Sequence, residues 1–95
     1  MEENKFVIVR TYSAGVHFGY LKSVDGKVVT LTRSRRVHYW SGAASLSQMA
    51  MEGVKNPSSC RFAVELPEIT LTEAIEIIPA EAGRVNLESV PVWKC

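Results

Sequence analysis

Val16-His17-Phe18-Gly19-Tyr20-Leu21-Lys22-Ser23-Val24-Asp25-Gly26-Lys27-Val28-Val29-Thr30-Leu31-Thr32 is the stretch that decides how this chain folds. At its centre, Asp25-Gly26 supplies the positive φ angles of a two-residue type I′ turn, the turn whose twist matches that of a β-hairpin. The flanks alternate in strand fashion. Val16, Phe18 and Tyr20 share one face, with His17 and Gly19 on the other. A glycine inside a strand marks a bulge or a close backbone approach, so Gly19 is expected to do one or the other. Two antiparallel strands follow, over residues 16–22 and 27–32.

Towards the N-terminus, Phe6-Val7-Ile8-Val9 is a β-branched run too short for a helix, and Thr11-Tyr12-Ser13-Ala14-Gly15 separates it from the hairpin as a turn. Towards the C-terminus, Arg33-Ser34-Arg35 is a polar turn before a fourth strand over residues 36–40. Ser45 followed by Gln48 is a capping-box pattern, in which the hydroxyl takes an orphan amide and the Gln side chain reaches back to the cap residue. Leu46, Met49, Ala50 and Gly53 lie on one face of the resulting short helix, and Gly53 stands where a left-handed cap is needed. Such a helix has to dock on a sheet to be stable. Met51 falls off that face as a surface residue.

Pro57 breaks the chain into a loop, after which residues 62–66 alternate as a half-buried strand ending at Pro67. Residues 69–72 lead into a last strand over 73–78, with Glu76 outward and Ile75 and Ile77 inward. A turn of helix is expected around residues 85–89, and Trp93 folds back as a terminal hydrophobic clip. The sum is a mostly β (α+β) fold: a small antiparallel sheet or partly open barrel of five to six strands, with one short helix between strands four and five. Turns alone separate the first four strands, which disfavours a parallel βαβ arrangement.

At 95 residues the chain is sized for a single domain with one small core. A net charge of +1 excludes a nucleic-acid binder driven by bulk electrostatics and leaves only local basic patches. Cys60 and Cys95 have neither metal-ligand spacing nor the density of a disulfide framework, which fits a reducing cytoplasm. No secretory signal is expected from Met1-Glu2-Glu3-Asn4, which leads straight into a strand-like run, and no apolar run has membrane-spanning length.

Enzyme signatures are weak. His17 and His38 sit in no arrangement with a nucleophile or metal ligands, there is no Walker or dinucleotide motif, and the glutamates of residues 65–76 read as a solvated face. No catalytic residue, no metal and no cofactor is expected. Anion binding has a better case. Ser41, Gly42, Ala43 and Ser45 deliver small residues to a helix N-terminus, where free amides favour negative charge. Arg33, Arg35 and Arg36 lie close by in sequence with guanidinium forks suited to phosphate. His38, Tyr39 and Trp40 complete the candidate, the aromatic pair as flat surfaces for a base. Each feature also has a plain structural meaning: the arginines as a solvated turn, Trp40 as core, the small residues as a tight connection.

Tyr39-Trp40-Ser41-Gly42-Ala43-Ala44-Ser45-Leu46-Ser47-Gln48-Met49-Ala50, with Met51-Glu52-Gly53-Val54-Lys55-Asn56-Pro57, resembles the central block of a family of small tailed-bacteriophage proteins described as a domain of unknown function. Ser13-Ala14-Gly15-Val16-His17-Phe18-Gly19-Tyr20-Leu21 and residues 72–79 resemble it too, so the likeness runs from about residue 10 to 93. It implies an origin, a phage protein acting in the cytoplasm of an infected bacterium, and assigns no residue a role. The expectation is an accessory binding protein: a non-catalytic, homo-oligomeric sponge for a nucleotide signal of host defence or another phosphate-bearing small molecule, or an inhibitor of a host defence protein. The alternative is a structural or protein-interaction module with no small-molecule ligand.

Overall fold

The hairpin at Asp25-Gly26 is the spine of the sheet. In the computed structural model, which describes residues 5–94, β2 (Val16–Asp25) and β3 (Val28–Tyr39) pair antiparallel from Asp25↔Val28 to Val16↔Val37. Met1-Glu2-Glu3-Asn4 and Cys95, and with them the readings placed on a leader and on the second cysteine, lie outside the described residues. β1 (Phe6–Thr11) pairs with β2, and β6 (Ala74–Pro79) pairs with β1. On the far side of β3 lie the two-residue β4 (Arg61–Phe62) and β5 (Leu66–Leu71). The result is an open antiparallel sheet of six strands, ordered β4-β3-β2-β1-β6 with β5 also on β3. Two short helices accompany it: α1 (Leu46–Glu52) between β3 and β4, and α2 (Arg84–Glu88) after β6. Neither is long and apolar enough to cross a membrane.

Several expectations change. The expected third and fourth strands are one strand, because Arg33 and Ser34 form a bulge instead of a turn. Two residues of β3 face the single Gly19 of β2, between Phe18↔Arg35 and Tyr20↔Thr32. Arg33 takes φ 50°, and a Cβ on Gly19 would stand 2.9 Å from the Thr32 carbonyl oxygen and 3.1 Å from Ser34 Cα. Both meanings of a strand glycine, bulge and close approach, hold here. With the two strands merged, α1 falls between β3 and β4, not between a fourth and a fifth strand. Further on, Pro67 does not end a strand: it sits in β5, which pairs only with β3, so its missing N–H costs the sheet nothing on the outer side. The chain turns at Thr72-Glu73, and β5 and β6 are separate. Being an edge strand, β6 leaves Ile75 and Ile77 exposed at 50% and 38%, while Ile78 packs against the core.

The bulge also swaps faces. Before it, Val29 and Leu31 join Val7, Val9 and Leu71 in one buried cluster; after it, Arg35 and Val37 point to the other side. That other side holds the larger core of Phe6, Ile8, Phe18, Phe62 and Leu87, capped by Met49 and Ala50 of α1. Its aromatic rings meet at 5.4 Å (Phe6–Phe18) and 5.5 Å (Phe18–Phe62). β1 therefore buries both faces, with Phe6, Val7, Ile8 and Val9 all at 2% exposure or less.

α1 is capped much as its sequence implies. Ser45 Oγ accepts from the Gln48 amide, and Gly53 at φ 75° donates its amide to the Met49 carbonyl. The Gln48 side chain reaches back one residue further than a capping box requires, accepting from the Ala44 amide at 2.8 Å. Met51 is exposed, and α2 covers most of the expected helical turn.

Gly19→Ala is expected to lose about 2 kcal/mol of folding stability, the usual scale for overpacking a site that cannot relax. Urea denaturation reads this directly, and a loss under about 0.5 kcal/mol, the scale of a plain surface substitution, would mean that the bulge tolerates a side chain.

Candidate functional site

Arg35 leaves the proposed phosphate cradle first. The bulge turns it inward, to 4% exposure, where Nε donates to the Ala63 carbonyl at 2.8 Å and Nη1 to the Val90 carbonyl at 2.8 Å. Nη2 donates to the carbonyls of Phe62 (3.2 Å) and Pro91 (3.4 Å), and the guanidinium lies 5.5 Å from the centre of the Phe62 ring. Burial lowers its pKa, with the charge of Glu65 opposing the shift. Guanidinium nevertheless stays protonated in proteins, so this is a structural cation spent on backbone oxygens.

Arg33 is exposed but engaged in a different neighbourhood. Its guanidinium lies 5.1 Å from the Tyr20 ring centre and pairs loosely with Glu65 (3.7 Å) and Glu88 (3.9 Å). Tyr20 donates its hydroxyl to Glu88 at 2.7 Å, and its pKa rises through burial first and this bond second.

The helix opening is occupied by its own chain. The Ser41 amide donates to Cys60 Sγ, and the carbonyls of Ser41 and Gly42 accept from the amides of Asn56 and Lys55. Asn56 Nδ2 donates to Ser41 Oγ at 3.1 Å, and Trp40 Nε1 donates to the Ala43 carbonyl at 3.1 Å. Gly42, at φ 97°, is packed so closely on the Lys55 backbone that no Cβ fits. Trp40, Ser41, Gly42, Ala43 and Ser45 thus form a connection tied to residues 55, 56 and 60, with Trp40 packed against the core.

What remains of the expected cluster is Arg36, His38 and Tyr39, and the fold adds two residues to it. Arg61 lies opposite Tyr39 in the β3–β4 register, with its guanidinium 5.6 Å from the centre of the Trp93 ring. Trp93 donates its amide to the Phe62 carbonyl at 2.9 Å, and its ring meets His38 at 5.1 Å. The expected terminal clip forms, yet Trp93 keeps 46% exposure and Tyr39 52%. Arg36 and Arg61 enter no ion pair among the described residues, whereas Arg10, Lys22, Arg33 and Arg84 all do. Two unneutralised guanidiniums beside half-open rings can take phosphate oxygens and stack a planar base.

Arg61 and Trp93 escaped sequence reading because they lie far along the chain from residues 36–39. Only the place of Arg61 between the apolar Cys60 and Phe62 hinted at outward placement.

His17 is the interior support of this face. It is fully buried and accepts a hydrogen bond from Arg36 Nε on its Nε2 at 3.0 Å, so the neutral ring carries its proton on Nδ1. That Nδ1 and the hydroxyl of Ser34 are buried without a protein partner among the described residues. Burial, followed by the charges of Arg36 and His38, lowers the His17 pKa from 6.5 to about 4. No group of three or more metal-ligating side chains occurs among the described residues.

Residues 4–86 match a family model described as Domain of unknown function (DUF6948). No curated protein and no solved structure matches the chain.

The His17 shift has a signed consequence. Between pH 6.5 and about 4 the unfolded chain binds a proton that the folded one refuses, so this residue's contribution is intact above pH 6.5 and is lost as pH falls towards 4. The full loss is about 3 kcal/mol. Urea denaturation across that range should show a steeper decline for the wild type than for His17→Gln, whose amide oxygen can still accept from Arg36; parallel curves would rule out the buried neutral histidine.

Proposed function

This chain belongs to the family described as Domain of unknown function (DUF6948), and we propose that it works as a non-catalytic accessory binding protein of phage origin. On this reading it acts in the host bacterial cytoplasm and takes a phosphate-bearing, base-containing ligand on the face formed by Arg36, His38, Tyr39, Arg61 and Trp93. The observation that carries the proposal is the half-open Trp93 ring, 5.6 Å from the carboxylate-free Arg61 and in contact with His38, two residues from the likewise carboxylate-free Arg36. A solvated arginine costs nothing by itself, but Arg61 over an exposed tryptophan, with Arg36 further along β3, joins charge to a stacking surface. The phage origin draws on the sequence block at residues 39–57. A nucleotide signal of host defence is a ligand of this chemistry, and holding it without turnover would make the protein a sponge.

The non-catalytic character is supported by where the reactive side chains are committed. His17 is inside and bonded to Arg36, and Cys60 Sγ lies within 3.7 Å of the carbonyls of Ser41 and Asn56.

A second reading rests on β6. It is an edge strand with one strand neighbour, β1, among the described residues, and Ile75 and Ile77 are exposed on it, a surface suited to adding a strand from a second copy, from a host defence protein or from another component of a phage assembly.

Titration with linear and cyclic nucleotides, followed by tryptophan fluorescence, separates the two. The proposal expects saturable quenching that is reduced in Trp93→Phe, and affinity lowered roughly tenfold or more in Arg36→Gln/Arg61→Ala, since each charge-assisted bond contributes roughly 1.5–3 kcal/mol. A silent panel with an unchanged double variant would turn the assignment to the β6 edge.

A further inference from the structure

We infer that the ligand of this face is a single-stranded nucleic acid, with bases laid on Trp93 and Tyr39 and phosphates held by Arg36 and Arg61. The inference rests on the binding reading above and narrows its ligand class.

The argument begins with exposure. Small-molecule sites surround most of their ligand's surface, and isolated nucleotides bind tightly where a pocket closes around them. Here both rings are about half open, Trp93 at 46% and Tyr39 at 52%, and no pocket wall but only Arg61 and His38 is seen against Trp93 among the described residues. A mononucleotide on one such ring would stay largely in water. A strand compensates by repetition, since each nucleotide adds one stacking contact and one phosphate.

The side-chain order suits that repetition. Tyr39 faces Arg61 across β3 and β4, Arg61 lies over Trp93, Trp93 meets His38, and His38 is followed two residues back along β3 by Arg36. Aromatic and cationic groups are therefore interspersed along the surface, as in single-strand platforms. A duplex hides the faces of its bases and could use only the arginines.

Charge sets the strength. The chain's net charge is +1, so there is no broad basic field, and binding falls to Arg36 and Arg61, which no carboxylate neutralises among the described residues. For single strands each neutralised phosphate contributes about −0.7 to the slope of log K against log salt, giving about −1.4 for Arg36 and Arg61 together. Stacking on Trp93 and Tyr39 supplies the part that salt does not touch.

The site also depends on the C-terminal segment. Trp93 is placed by its amide bond to Phe62, by the parallel bridge between Phe62 and Val92, and by the Arg35 bonds to Val90 and Pro91.

Fluorescence anisotropy with labelled dT12, its duplex with dA12, and free thymidine and adenosine monophosphates tests the inference on the full chain. Expected are binding of the single strand at least tenfold tighter than of the duplex or the monophosphates and a salt slope of about −1.4. Arg61→Ala should bring that slope to about −0.7, and Trp93→Phe should weaken the single strand severalfold, with thermal unfolding of both variants near that of the wild type. Monophosphates binding as tightly as the strand would overturn the strand inference and leave the nucleotide-binding reading standing. Equal binding of duplex and single strand would overturn the stacking mode. Absence of binding to every probe at low salt would overturn both.

Discussion

The Arg35 guanidinium, placed among the carbonyls of Phe62, Ala63, Val90 and Pro91, is the interaction on which the rest of the structure leans. A buried charge is stable only when its donors are met, and this one meets oxygens from two separate segments. It ties β3 to the junction of β4 and β5 and ties both to the C-terminal tail. Without it the Phe62 carbonyl would keep only the Trp93 amide, and the buried Val90 carbonyl would be left unpaired at roughly 1–3 kcal/mol. Chains of this size are stable by only about 5–15 kcal/mol, so that single side chain commands a large part of the margin.

The bulge makes this placement possible. With a regular β3, Arg35 would share a face with Val29 and Leu31 and point into their apolar cluster. The extra residue at Arg33-Ser34, opposite a glycine that leaves room for it, rotates the strand. Arg35 then enters the main core, while Arg36 turns to meet His17 and the outer surface. One local irregularity thus sorts two adjacent arginines, the first to architecture and the second to the exposed surface over His17.

How much of this was legible in the sequence depends on distance along the chain. Asp25-Gly26, the Ser45 and Gly53 caps and the room left at Gly19 are local chemistry and were readable as such. The Arg33-Ser34-Arg35 stretch was misread because polar residues that make a turn also make a bulge, and a positive φ at an arginine has no sequence signature. The partners of Arg35 lie 27 to 56 residues away, so its burial could not be seen. The same holds for the site. Arg36, His38 and Tyr39 were visible as a basic-aromatic cluster, whereas Arg61 and Trp93 join it only through strand pairing and the returning tail. The small-residue loop before α1 carried the right composition for an anion cradle, but its hydrogen bonds run to residues 55, 56 and 60, again beyond local reading.

The most direct test of this account is hydrogen exchange at the Trp93 amide in Arg35→Lys, compared with the wild type. A lysine keeps the charge but cannot span the carbonyls of both segments. The account requires the Trp93 amide to lose its protection, along with a drop in global stability, while the β1–β2 amides keep their relative order. Wild-type protection at Trp93 with unchanged stability would contradict it, and would return Arg35 to the list of residues free to serve a ligand.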